Sequence, residues 1–220
     1  MERLAKDVLA KDAPAKDAPA KPAPEVRVRR LWPSDVAAYR DHLLRLDSRA
    51  RYSRFQTFMA DEIVVRHAEK CFGPDCLLYG YFVDGVLRGA AELHLIEPGQ
   101  TKYTGEAEAA FSTERDWRHK GVGSILMERV LRAAGNRGLR KVIITCLPQN
   151  FAMQSLAKKF GADLSFERDE VTGQFAVRLP TMQSILSEIM EDSLDFATAA
   201  FDLQRRILQP SRGQLLTEAA

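Results

Sequence analysis

From Val26 to Leu31 apolar and charged residues alternate, the period of two that predicts a half-buried strand. Pro33-Ser34-Asp35 follows, and Ser34 or Asp35 can accept from an orphan backbone N–H, so a helix is expected from there to about Leu46. A second helix is predicted over Ala60 to Cys71. Leu77–Phe82 and Val86–Ile96 read as strands joined through Val83-Asp84-Gly85, because an Asp-Gly pair tolerates the positive φ of a hairpin turn. Glu106–Ser112 reads as the next strand. Val122, Ile125, Leu126, Val130, Leu131 and Ala134 share one helical face, which predicts a helix from about Gly121 to Asn136, with Gly138 as its stop. The apolar run within Lys141–Leu147 suits a buried strand. Asn150–Phe160 reads as a short helix ended by Gly161, and Leu164–Arg168 with Phe175–Leu179 as a closing hairpin.

This order implies an α/β fold: a mixed, mostly antiparallel sheet flanked by helices over residues 25–180. Two segments lie outside it. Residues 1–24 carry a repeated Ala-Lys-Asp-Ala-Pro unit, which buries too little apolar surface to offset its ordering entropy and is expected to be a disordered tail. Residues 181–220 read as a helical C-terminal extension that turns polar after Pro210. Within 181–208, Met182, Ile185, Leu186, Ile189, Met190, Leu194 and Phe201 recur at helical spacing, with Glu188, Glu191, Asp192 and Asp195 mainly opposite. One or two amphipathic helices are expected to pack back on the domain. The other reading is a homodimer interface, since an apolar stripe has to be covered.

Charge and cysteine usage narrow the functional classes. A formal net charge of +2 lacks the strongly basic face of a dedicated nucleic-acid binder. No apolar run approaches the ~20 residues needed to span a bilayer, and no continuous apolar leader opens the chain, so a soluble cytoplasmic protein is expected. Three cysteines, Cys71, Cys76 and Cys146, make no disulfide framework. Cys71 and Cys76 form half of a metal site at best; no second Cys/His pair stands at matching spacing, and no metal is expected.

The chemistry concentrates between Glu108 and Gly123. A strand ends there, a short loop follows, and Arg118-His119-Lys120-Gly121-Val122-Gly123 opens a helix. A helix N-terminus offers unpaired N–H groups and partial positive charge, glycines let backbone approach a phosphate, and Arg118 and Lys120 add charge. A dinucleotide loop would need a third glycine where Leu126 stands, and the Gly-Lys-Ser/Thr string of a nucleoside-triphosphate loop is absent.

Arg118-x-x-Gly121-x-Gly123, after a strand and before an amphipathic helix, resembles the acetyl-CoA motif of the GNAT superfamily of N-acetyltransferases. Strand Lys141–Leu147, then Asn150, then Leu156-Ala157-Lys158-Lys159-Phe160-Gly161 is similar to the family's Asn-led helix. Arg51-Tyr52-Ser53-Arg54-Phe55 together with Glu108-Ala109-Ala110-Phe111 looks like the bacterial protein-lysine acetyltransferase branch. The resemblance implies an acetyl-CoA-dependent enzyme acting on a primary amine, a protein lysine or a small amine. It implies that backbone groups of Phe111, Ser112 and Thr113 meet the pantetheine and acetyl carbonyl. Those of Arg118, His119, Lys120, Gly121, Val122, Gly123 and Ser124 would hold the diphosphate. Asn150 would bond the CoA arm or fix its loop; a plain helix N-cap is the alternative. Glu108 stands where part of the family places a carboxylate base, with Glu106 on the same strand face in reserve. One departure is Ala157, where many relatives carry a tyrosine that protonates the leaving thiolate; Ser155, Cys146 or water remain as donors. That departure keeps open a non-catalytic acetyl-CoA sensor.

Overall fold

The computed structural model describes residues 23–96 and 105–208. The N-terminal repeat and the polar end after Leu208 lie outside the described residues. Seven strands form one sheet in the order β1-β2-β3-β4-β5-β7-β6. They are β1 (Val26–Arg30), β2 (Cys76–Val83), β3 (Val86–Leu95), β4 (Glu106–Thr113), β5 (Lys141–Cys146), β6 (Asp163–Phe166) and β7 (Val171–Ala176). All neighbours are antiparallel except β4 and β5. The helices are α1 (Val36–Arg45), α2 (Ser48–Phe55), α3 (Asp61–Lys70), α4 (Val122–Asn136), α5 (Phe151–Lys159) and α6 (Met182–Leu208). None is long and apolar enough to cross a membrane.

Alternation along the strands splits the interior into two cores. On one face Val122, Leu126, Met127 and Val130 of α4 pack against Tyr79, Ala91, Leu93, Ala107 and Ile144. On the other, Tyr39 and Leu43 of α1 and Val64 and Ala68 of α3 cover Leu78, Phe82, Leu87 and Ala90. Glu92 shares this second face with Ala90, since the two are neighbours of period two on β3.

Three sequence expectations change. α2 went unforeseen: it has no buried residue, so no apolar period marks it, and only Asp47 signals its start by accepting from the Ala50 N–H at 2.8 Å. β7 begins at Val171 rather than Phe175, where its Val-x-Gly-x-Phe alternation faces the core. The third change is the packing of α6, a single helix that turns its acidic side inward. Glu188 is buried and accepts from Asn136 and Arg137, Glu191 holds Arg129 and Arg132, and Asp192 pairs with Arg30. Asp195 accepts the Arg30 N–H at 2.8 Å while Arg129 donates to the Val28 carbonyl at 3.1 Å, which satisfies two groups on the free edge of β1. Met182, Leu186, Ile189, Met190, Leu194 and Phe201 consequently point outward, each more than half exposed.

Candidate functional site

β4 and β5 pair only from Glu106 to Glu108 against Lys141 to Ile143. Past Glu108 they separate, while β4 stays paired with β3 through Thr113. The β5-facing backbone groups of β4 from Ala109 onward therefore have no strand partner. The gap opens into a cleft of about 540 Å³, lined by Ala109–Thr113 on one wall and Ile144–Cys146 on the other. The first turn of α4, Asn150 and Met153 close one end, and Arg49, Ser53 and Arg54 of α2 line it from above.

The glycine-rich turn sits at the mouth. Gly121 is the N-cap of α4 with φ +82°, and His119 also takes a left-handed conformation with φ +59°. Gly123 lies so close to Leu156 that a Cβ there would sit 3.1 Å from its Cδ2. Such a turn presents its N–H groups outward, where side chains would otherwise stand. Phe111, Ser112, Thr113, Arg118, His119, Gly121, Val122, Gly123, Ser124 and Asn150 all line the cleft; Lys120 and Glu108 do not. The Arg118 guanidinium pairs with Asp47 at 2.5 Å, so it anchors the start of α2 and its charge is offset there. Burial opposes ionisation of Asp47, yet the Ala50 N–H and Arg118 hold its carboxyl below the usual range. The Lys120 ammonium lies over the Trp117 ring, 4.8 Å from its centre. Lys159 brings a cation to the first turn of α4, donating to Ser124 Oγ at 2.9 Å.

Asn150 caps α5 by accepting from the Met153 N–H at 3.2 Å, and its residue also lines the cleft, so cap and wall coincide. Ala157 is fully buried and packs in the α4-side core. Cys146 lines the cleft, and burial pushes its thiol up. Glu108 stands at the vertex of the strand separation, exposed and without an ion pair among the described residues. Glu106 is tied to Lys141 at 2.7 Å.

Residues 40–162, more than half of the chain, match the model of the Acetyltransferase (GNAT) family. The chain belongs to the GNAT acetyltransferase family. Its fold is similar to the GNAT domain of S. lividans PAT, with 24% identity and a TM-score of 0.59 over 69% of this chain and 90% of that one. It is also similar to yncA from Salmonella typhimurium, solved with acetyl-CoA, at 15% identity and a TM-score of 0.54 over 70% and 94% of the two chains. The paia N-acetyltransferase from Thermoplasma acidophilum, in complex with coenzyme A, is 16% identical with a TM-score of 0.52 over 69% and 99%.

Sequence reading missed two polar clusters of the acetyltransferase, because their members are far apart in the chain. Ser112, at the cleft wall, meets His42 Nε2 at 2.9 Å, and His42 Nδ1 faces Glu114 Oε1 at 3.3 Å. Burial lowers the His42 pKa despite Glu114. Burial would raise Glu114, but His42, Arg88 and Arg45 hold its carboxyl down at about 2. This serine–histidine–glutamate chain, absent from the sequence reading, ties the end of β4 to α1. The second cluster centres on buried Glu92. Its Oε1 accepts from Tyr39 and from Arg54, which also lines the cleft. Burial opposes its charge, yet Arg54, His67 and His94 hold the carboxyl well below the usual range. Glu92 is thus a fixed anion, unsuited to take a proton near neutral pH.

Proposed function

We propose that this acetyltransferase moves the acetyl group of acetyl-CoA to a primary amine, a protein lysine or a small amine, by direct attack with Glu108 as general base. The observation that carries this reading is the separation of β4 from β5 immediately after Glu108, beside the uncapped first turn of α4. Acetyl-CoA supplies a thioester open to an amine and a thiolate able to leave. The β5-facing backbone N–H groups of the Phe111–Thr113 segment, those of Phe111 and Thr113, are released from strand pairing and orient the pantetheine and polarise the acetyl carbonyl, while Ser112 stays paired with Ala90 of β3. Those from Arg118 to Ser124 receive the diphosphate, with Lys159 as a cation at the same turn. Glu108, beside the strand separation and without an ion pair among the described residues, takes the ammonium proton directly or through one water. Cys146 lines the cleft, but burial weakens its thiol as an acid, so water remains the alternative proton source for the departing thiolate. A cytoplasmic setting suits the three free thiols.

α6 extends the reading to a second copy of the chain. Every Asp and Glu of this helix is at least partly buried, so from Met182 to Phe201 its exposed residues carry no charge. A helix rises 1.5 Å per residue, which makes this an apolar strip of about 30 Å, long enough for an isologous dimer contact.

The burial of Ala157 favours one other reading, a sensor that binds acetyl-CoA without transfer, since no hydroxyl stands at that position. Release of CoA thiol with a panel of primary amines separates the two. Amine-dependent release supports transfer; saturable binding with no release on any amine supports the sensor.

A further inference from the structure

We propose that Cys71, Cys76, Glu92 and His94, none of which lines the acetyl-transfer cleft, form a zinc site on the α1–α3 side of the sheet, joined to that cleft through Arg54. Their donor atoms, two Sγ, one carboxylate oxygen and one imidazole nitrogen, all lie within 4.8 Å of one another. The fold brings them together by register. Cys76 on β2 stands directly opposite His94 on β3, Glu92 lies two residues from His94 on the same face, and Cys71 caps the end of α3 above them.

The distances suit tetrahedral zinc. Bonds of ~2.3 Å to sulfur and ~2.0–2.1 Å to nitrogen or oxygen set ligand–ligand edges of about 3.3–3.8 Å. Cys76 Sγ and His94 Nε2 are 3.8 Å apart, and Cys71 Sγ and Glu92 Oε2 are 3.4 Å apart. The Glu92 Oε2–His94 Nε2 contact of 2.6 Å is a hydrogen bond that has to widen by roughly 0.7 Å to match. Two soft thiolates with one imidazole and one carboxylate select zinc over magnesium or calcium.

Charge and surroundings agree. Two thiolates and a carboxylate exceed the zinc charge by one, and Arg54 on the far oxygen of buried Glu92 restores neutrality in a half-buried site. Tyr39 holds that same oxygen, leaving Oε2 turned toward the thiols and His94. His67, one helical turn before Cys71, brings Nε2 to 3.3 Å from its Sγ, where an N–H steadies a thiolate. Cys71 at 3.4 Å, His67 at 3.3 Å and His94 at 2.6 Å all converge on the single oxygen Oε2. Four protein ligands leave no open position, so the ion is structural, fastening the end of α3 to the β2–β3 hairpin.

The test uses the full chain, reduced, stripped with a chelator and titrated with Co²⁺ and then Zn²⁺. One Co²⁺ per chain, with thiolate-to-cobalt charge transfer and tetrahedral d–d bands that Zn²⁺ abolishes, is the expected result. Zn²⁺ should also raise the melting temperature of the stripped protein. Cys76→Ser and His94→Gln should each weaken binding at least tenfold, while Cys146→Ser keeps full stoichiometry. Should a variant fail to fold, the cobalt spectrum of the unaltered chain decides alone. Absence of tight one-to-one binding in the reduced protein overturns the proposal. So do a cobalt spectrum without thiolate bands, binding indifferent to both substitutions, and a Cys71–Cys76 disulfide whose reduction yields no metal-binding form.

Discussion

Replacing Glu114 with glutamine should unfasten the end of β4 from α1 and β3. The carboxylate accepts from Arg45 Nε at 2.9 Å and Arg88 at 2.8 Å and faces His42 Nδ1 at 3.3 Å. These partners outweigh burial and bring its pKa from 4.5 to about 2. At ~1.36 kcal/mol per pKa unit, that difference is worth about 3 kcal/mol. Arg45 and Arg88 are 38% and 30% exposed, so solvent screening reduces the expected loss to roughly 1–3 kcal/mol. Because the folded-state pKa is depressed, the contribution is complete above about pH 4.5 and fades as pH falls toward about 2. Urea unfolding of both proteins at pH 7 and pH 3 measures it. The gap between wild type and Glu114→Gln should be widest at pH 7 and fall to about half or less at pH 3. A gap of less than ~0.5 kcal/mol at pH 7, the usual size of a surface change, would refute the reasoning. An undiminished gap at pH 3 would do the same.

Gly121→Glu should abolish acetyl-CoA binding while the chain stays folded: no atom lies within 4 Å of the added Cβ, and the φ of +82° costs about 1–2 kcal/mol. Calorimetric titration with unchanged affinity would leave the turn a purely structural feature. Glu108→Gln should lower kcat by ~10²–10⁴-fold with acetyl-CoA affinity nearly intact. The deficit should narrow at high pH, where more acceptor amine is already deprotonated; near-full activity at neutral pH would remove Glu108 from the mechanism. Leu186→Asp with Leu194→Asp, at positions 56% and 66% exposed, should turn a dimer into monomers without lowering the stability of the fold. Light scattering that finds the wild type monomeric, or the variant still dimeric, excludes α6 as the interface.

Legibility in the sequence tracked the range of the interactions involved. The α4 stripe and the alternation of β1 to β3 are local patterns, and the elements stand within a residue or two of where those patterns put them. The turn from Arg118 to Gly123 was legible as backbone, because glycine spacing and a helix start are local. Its side chains were not: Arg118 answers to Asp47, 71 residues away, and Lys159 reaches Ser124 across 35 residues. α2 escaped because it buries nothing. For α6 the periodicity revealed the helix and its two faces but not which face turns inward. That is decided by Arg30, Arg129, Arg132 and Arg137, which present a basic surface to the acids. The same limit hid the partners of Cys71 and Cys76, since strand register alone sets His94 opposite Cys76.

The most direct test of the central claim is product analysis with isotope-labelled acetyl-CoA and amines that include a lysine peptide. Mass spectrometry should find one labelled acetyl amide for each CoA thiol released, and none with Gly121→Glu. Saturable acetyl-CoA binding with no labelled amide on any amine would contradict the assignment of amine acetyl transfer to this cleft.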